Sequence, residues 1–251
     1  MKFKITLLLC ILLINSCKNK EEEKLKPVTI ETQNEEPEID IDGLVYHVKW
    51  DGVINEGDYE EVLGVYTDNR NKNPKKAISF DGLSEYTKIE NHDVLNTKKE
   101  ITISLWYKPI SYRGTGNNPL LIKSSGNNKD ALVQYSINAT GNEHPSIKAR
   151  GSFRFSLSID GKYNSISTKP DFWTPGQWYN ITGVYDGKHM KLFVNGKALN
   201  QRLVEGQLDV FESDIYIGKD ETGKFFTPGI YDDLRIYNRA LTAKEILTLS
   251  E

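Results

Sequence analysis

Carboxylates two positions apart on an extended chain point the same way, so a nucleophile and an acid can share one strand face. The stretch Glu38-Ile39-Asp40-Ile41-Asp42-Gly43 begins such an arrangement, with Glu38 and Asp40 in phase. A glutamate at position 43 would complete the acid pair that glycoside hydrolysis requires, and that position is Gly43. The set is incomplete and precedes the first regular strand, so no catalytic residue is assigned and the chain is expected not to be an enzyme. The histidines His47, His92, His144 and His189 are scattered without a nucleophile motif or metal-ligand spacing, and each reads as a solvated side chain. One carboxylate stands out. If residues 229–237 form a strand, Ile230, Asp232, Leu234 and Ile236 share a face, and Asp232 needs a partner among those apolar neighbours. Arg235 or a group on a neighbouring strand could pair with it.

Aromatic and polar side chains offer a different chemistry. In residues 101–107, Ile101, Ile103, Leu105 and Tyr107 share one face, while Thr102, Ser104 and Trp106 share the other. Trp106 therefore lies on the polar side, either packed under a loop or exposed as a flat ring on which a ligand could stack. Residues 131–137 and 153–159 also alternate, turning Gln134 and Ser136, then Arg154, Ser156 and Ser158, to their polar faces. Loops at 111–118, with Tyr112 and Arg113, and at 124–130 are dense in Gly and Asn, and loops on a rigid scaffold often carry specificity. The sequons at Asn138 and Asn180 read as chance.

The elements that must position these groups are strands. In residues 177–197, Tyr179, Ile181 and Tyr185 precede Asp186-Gly187, and Met190, Leu192 and Val194 follow it, which predicts a hairpin with a two-residue type I′ turn. Asn195-Gly196 repeats the device, giving three antiparallel strands in succession. Further strands are expected at 45–50, 62–66, 77–80, 86–90, 163–168, 214–218 and 229–237, the last beside the first. Thr242-Ala243-Lys244-Glu245 is a capping box opening a short helix with Ile246, Leu247 and Leu249 on its apolar side, expected to seal one end of the fold. Many short strands and one terminal helix predict an all-β sandwich of two packed antiparallel sheets. A chain of 251 residues, 38% hydrophobic, can bury one substantial core.

The string W-x-x-x-x-W-Y-N-I-T-x-x-Y-D-G-x-x-x-x-L-F-V-N-G-K, from Trp173 to Lys197, resembles the signature of laminin-G-like domains of the concanavalin A-like lectin/glucanase superfamily. AISFDG (77–82), ITISLWYKP (101–109) and GIYDDLRIYNRALTAKEI (229–246) resemble its early strands, last strand and closing helix. The resemblance implies a concanavalin A-like jelly roll over residues 43–251. That fold serves lectins, adhesins, hydrolase appendages and glucanases. It also implies a structural calcium held by an acidic side chain of the last strand with groups from early strands, which maps to Asp232, then Asp81 and the Gly82 carbonyl. Oxygen donors of this kind suit Ca²⁺. As a lectin, the module would stack Trp106 or Trp173 on sugar faces and fix hydroxyls with Gln134 and Arg154. The Glu38–Gly43 stretch resembles the laminarinase catalytic strand only in part.

At the N-terminus, Met1-Lys2-Phe3-Lys4 and the apolar residues 5–14 read as a signal peptide, residues 1–16. Ile14-Asn15-Ser16-Cys17 resembles a bacterial lipobox, which makes Cys17 the lipidated anchor. Cys10 leaves with the signal, so no disulfide remains. Residues 17–42, rich in Glu, Lys, Pro and Asn, have the composition of a disordered tether. Lys18-Asn19-Lys20-Glu21-Glu22-Glu23 resembles the surface-export signal of Bacteroidota lipoproteins, or is simply the start of that tether. A net charge of −3 with no basic stripe argues against nucleic acid as a partner. The expectation is a lipid-anchored lipoprotein of the outer membrane, exposed at the cell surface, touching the membrane by its anchor alone. It would bind a polysaccharide or other glycan for capture or adhesion. A protein-binding or structural role in an envelope complex is the alternative, and a glucanase or lyase of the same fold is the third reading.

Overall fold

The computed structural model describes residues 42–51, 61–111, 118–126, 132–140 and 151–251. The Glu38–Asp40 pair, Cys17 with its signal and most of its tether, and Tyr112 and Arg113 lie outside the described residues. In chain order the elements are β1 (Leu44–Val48), β2 (Glu61–Leu63), β3 (Val65–Thr67), β4 (Ala77–Phe80), β5 (Tyr86–Ile89), a 3-10 turn (Asp93–Leu95), β6 (Ile101–Pro109), β7 (Asn118–Ser124) and β8 (Val133–Ala139). They continue with β9 (Phe153–Ile159), β10 (Lys162–Ser167), β11 (Tyr179–Tyr185), β12 (His189–Val194), β13 (Lys197–Leu203), β14 (Ile215–Ile217), β15 (Gly229–Tyr237) and the helix α1 (Ala243–Leu249).

Two antiparallel sheets result, as in a jelly roll. The first runs β13-β12-β11-β6-β15-β4-β3, with β1 also on β15, and the second runs β10-β9-β8-β7-β14-β5-β2. Alternation decides what lies between them. Ile103, Leu105 and Tyr107 of β6, Ile181 and Tyr185 of β11, and Leu192 and Val194 of β12 meet Tyr135, Ile137, Phe153, Phe155 and Leu157 of the second sheet in one buried core. Tyr107 and Tyr231 rings stand 5.0 Å apart, and Phe80 lies 4.9 Å from Tyr231. Such aromatic packing adds about 1 kcal/mol per pair beyond simple burial. The sheets approach closely at Gly183, where an added Cβ would come within 2.4 Å of the Phe155 ring.

The turns follow their residues, with one difference from expectation. Asn195 and Gly196 both take positive φ, 50° and 73°, between the paired residues Val194 and Lys197, as a type I′ turn requires. At the preceding hairpin only Gly187 is left-handed, with φ 83°. Asp186 stands one position before the tip, and its Oδ1 accepts from the N–H groups of Lys188 and His189. Its side chain caps the turn from outside instead of forming its centre.

Strand β15 departs from strict alternation. Its pairing to β6 shifts between Asp232 and Arg235, opposite Trp106 and Ser104, and Asp233 takes a left-handed φ of 52°. The extra residue is a β-bulge, and it resets the parity. Tyr231 and Leu234 therefore both face the core. Asp232 is not aligned with Leu234 and Ile236, as plain alternation predicts. The bulge also marks where β15 changes neighbours, from β4 at Gly229–Tyr231 to β1 at Leu234–Tyr237.

Helix α1 has its reciprocal cap: Glu245 N–H donates to Thr242 Oγ1 at 3.3 Å, and Thr242 N–H donates to Glu245 Oε2 at 2.6 Å. It does not seal an end of the sandwich. Ile246 and Leu249 pack with Val184, Phe193 and Tyr237 on the outer face of the first sheet. That placement uses the apolar side chains which β11, β12 and β15 turn away from the core.

Candidate functional site

The outer face of the second sheet is polar where β8, β9 and β10 meet. Because Tyr135, Ile137, Phe155 and Leu157 point into the core, their neighbours Gln134, Ser136, Asn138, Arg154, Ser156 and Ser158 point out. Cross-strand pairing aligns Ser136 with Ser156 and Ser156 with Ser165, and aligns Asn138 with Arg154 and Arg154 with Ser167. These groups hold one another: Ser136 Oγ donates to Asn138 Oδ1 at 2.9 Å, and Arg154 Nε donates to Ser167 Oγ at 3.3 Å. Tyr163, paired with Ser158, lies on the same face with 45% of its surface exposed. Its hydroxyl is 2.9 Å from Ser156 Oγ. The ring is thus exposed but held in place by its polar end.

Of the side chains that the sequence offers as sugar contacts, two share this face and two do not. Arg154 is half-buried beside Ser167. Gln134 is wholly buried, with Nε2 donating to the Leu95 carbonyl at 3.2 Å and Oε1 accepting from Phe211 N–H at 3.1 Å, so its amide is a strut. Trp173 is 2% exposed, stacked on Phe153 at 6.2 Å, and its Nε1 donates to the Ser152 carbonyl. A ring so placed cannot lie against a sugar. Trp106 is on the opposite sheet, 8% exposed, with Nε1 donating to the Leu249 carbonyl at 3.3 Å and the Arg70 guanidinium 4.6 Å from its ring centre. It packs beneath the end of the terminal helix and beneath the Arg70 side chain from the turn after β3. Sequence patterning does not single out Tyr163, although its parity against the inward Ile166 and its place just after Gly161 could have pointed to it.

The Asp232 bulge holds a buried charge network. Arg70 Nη1 donates to Asp232 Oδ2 at 2.7 Å, and His47 Nε2 lies 2.7 Å from Asp233 Oδ1. Arg235 Nη1 donates to Asp233 Oδ2 at 2.6 Å. Burial pushes the Asp232 carboxyl up to about 7, with the charge of Asp233 adding to the effect and Arg70 opposing it. Asp233 moves the other way. Its burial is overcome by the His47 hydrogen bond and by the charges of Arg235 and Arg70.

These residues do not fit the calcium that the resemblance implies. Asp232 faces a guanidinium instead of a second carboxylate, and a cation there would meet Arg70 first. Asp81 Oδ1 is occupied by the N–H groups of Leu83, Ser84 and Glu85. Despite some burial, the bonds from Ser84, Leu83 and Glu85 hold that carboxyl below the usual range. Gly82, with φ 73°, is pressed against Pro228. Among the described residues, no group of three or more His, Cys, Asp or Glu side chains is placed to hold a metal.

Solved structures share this fold at low sequence identity. The binding domain of Paraclostridial Mosquitocidal Protein 1 is 19% identical with a TM-score of 0.59, covering 83% of this chain and 52% of that one. The botulinum neurotoxin serotype G binding domain is 14% identical with a TM-score of 0.59, covering 82% and 50%. The chain therefore spans about half the length of these two. Domain 4 of AbnA, an extracellular arabinanase from Geobacillus stearothermophilus solved with arabinotriose, is 17% identical with a TM-score of 0.59, covering 83% of this chain and 98% of that domain. No curated protein matches the sequence. A laminin G family profile, described as concanavalin A-like lectin/glucanases superfamily, matches residues 81–247. With this match across most of the folded residues, and with two antiparallel sheets followed by one short C-terminal helix, the chain belongs to the concanavalin A-like lectin/glucanases superfamily.

Proposed function

We propose that the chain is a non-catalytic carbohydrate-binding module and that glycan sits on the β9–β10 part of the second sheet's outer face. The observation that carries this is Tyr163, a half-exposed ring anchored through Ser156 and flanked by Arg154, Ser165 and Ser167. A sugar offers a weakly apolar ring face and a rim of hydroxyls, so an aromatic plane beside fixed polar groups is the complementary surface. The sharing of this fold with an arabinanase domain solved with arabinotriose supports the reading. The buried carboxylates favour binding over hydrolysis, since Asp232 and Asp233 are adjacent on one strand and tied to cations instead of facing each other across a cleft.

Cys17 serves in this reading as a lipid anchor, and residues 18–42 as the tether that carries the module away from an outer membrane toward surface glycan. Titrating the full chain against a panel of polysaccharides by calorimetry tests the binding role. Saturable binding to one glycan class is the expected result, and no binding to any of them would reject it.

A further inference from the structure

Lys123 of β7 is wholly buried, with 0% of its surface exposed. Strand pairing puts it there. It lies opposite the core residue Ile215 and in phase with Leu121, so its stem points between the sheets at the end of its strand. Burying an ammonium is costly unless it is compensated. Here Nζ donates to two neutral oxygens, the Asn91 side-chain Oδ1 at 2.7 Å and the Ser213 carbonyl. Burial pulls the ammonium down to about 8, against the opposing charges of Asp214 and Glu212. A desolvated lysine of this kind can act as a nucleophile near neutral pH.

Its partner is an amide held in place. Asn91 stands two residues after Ile89, which pairs with Ile215 from the other side of β14. Lys123 and Asn91 therefore meet across the start of that strand. With Nζ 2.7 Å from Oδ1, the amide carbon Cγ lies one carbonyl bond of about 1.2 Å behind, in the range of a near-attack arrangement. The Asn91 backbone N–H donates to Asp214 Oδ1 at 3.1 Å, and Asp214 Oδ2 is 3.4 Å from Lys88 Nζ. A carboxylate is thus fixed beside Asn91 and close enough to Lys123 to act on its charge. Cys10 and Cys17 both precede residue 42, so no disulfide can staple the sandwich.

We infer that Lys123 and Asn91 join in an intramolecular isopeptide bond, a covalent staple between β7 and the segment after β5. The neutral Lys123 amine attacks Asn91 Cγ, a bond forms from Nζ to Cγ, and the bond from Cγ to Nδ2 breaks. The proton shed by Nζ passes through the Asp214 carboxylate to Nδ2, which leaves as ammonia. One amide and one ammonia are produced, with no oxidation and no further reactant. The bond closes a loop from residue 91 to residue 123 and so lowers the entropy of the unfolded chain. It does not depend on what the outer face binds.

The test is a tryptic peptide map by mass spectrometry of the full chain, folded and incubated at about pH 9, where the amine is mostly neutral. Trypsin cuts after Lys88 and Lys98 and after Arg113, Lys123 and Lys129. An isopeptide bond blocks the cut at Lys123. The expected product is residues 89–98 joined to residues 114–129, lighter by one ammonia than the two peptides together. Lys123→Met should abolish it, and Asp214→Asn, which keeps both reacting groups, should slow its formation about a hundredfold. Separate peptides with a normal cut after Lys123, in an unaltered chain shown to be folded, would overturn the inference. Ammonia loss that persists in Lys123→Met would also overturn it, because an asparagine can lose ammonia to its own backbone. Equal rates in the unaltered chain and in Asp214→Asn would support the bond and overturn the part given to Asp214.

Discussion

Arg70 Nη1 donates to Asp232 Oδ2 at 2.7 Å, joining residues 162 positions apart in the chain. The contact ties the turn after β3 to the bulge of β15, where the sheet changes its neighbouring strand. Removing one member leaves a buried charge with less compensation, so Arg70→Met should cost about 3 kcal/mol in denaturant unfolding. The pH dependence has a definite sign. The Asp232 carboxyl is raised in the folded state to about 7, from 3.8. Its contribution to stability is therefore complete below pH ~4 and is lost as pH rises through ~7. Asp232→Asn mimics the protonated form, and its melting temperature relative to the unaltered chain should climb between about pH 4 and about pH 7 and level off above, the window being set by those two values. A flat difference would mean that Arg70 outweighs burial.

Trp106 supports the terminal helix. Trp106→Phe removes the hydrogen bond to the Leu249 carbonyl, which Asn180 Nδ2 also reaches at 3.3 Å. The expected cost is about 1 kcal/mol, with faster amide exchange in residues 246–250. Glycan affinity should not move, and a fall in affinity without a fall in stability would return Trp106 to the ligand.

Gly183 has no room for a side chain. A methyl group at this position would reach within 2.4 Å of the Phe155 ring, where two sheets are already in contact. Gly183→Ala should lose about 3 kcal/mol or more, because overpacking in a filled core forces the sheets apart. Unfolding at unchanged denaturant midpoint would show that the sheets can separate locally at little cost.

Much of this arrangement is written in the chain. The Asn195-Gly196 turn, the β6 face pattern and the capping box at Thr242 are local signals, and each element lies where its residues predict. The strand Asn118–Ser124 was less legible, since its short apolar run falls between two Gly- and Asn-rich loops. The β15 bulge could not be read from alternation, because nothing local says where an extra residue enters a strand. That single residue turned Asp232 away from the face it was expected to share with Leu234 and Ile236. The candidate site was hard to read for a related reason. Tryptophan is the strongest aromatic binder by type, but large rings are also what a core and a helix interface consume, and Trp106 and Trp173 are used there. Whether a ring remains exposed is a tertiary fact.

Calcium is a further point at which residues and resemblance part. With Asp232 paired to Arg70 and Asp81 occupied by its own turn, adding calcium or a chelator should leave the melting temperature unchanged. A specific site filled at 100 times its dissociation constant would contribute about 2.7 kcal/mol, a shift of several degrees that thermal unfolding would detect. Such a shift would mean that Asp232 exchanges its arginine for the metal.

Retention of glycan at Tyr163 is tested most directly by the affinity of Tyr163→Ala for the glycan that the unaltered chain binds, with Trp106→Phe in parallel and folding checked by thermal melts. The predicted result is a loss of about tenfold or more for Tyr163→Ala, equivalent to about 1.4 kcal/mol, and no change for Trp106→Phe. Full affinity in a folded Tyr163→Ala variant would contradict it and place the glycan elsewhere on the molecule.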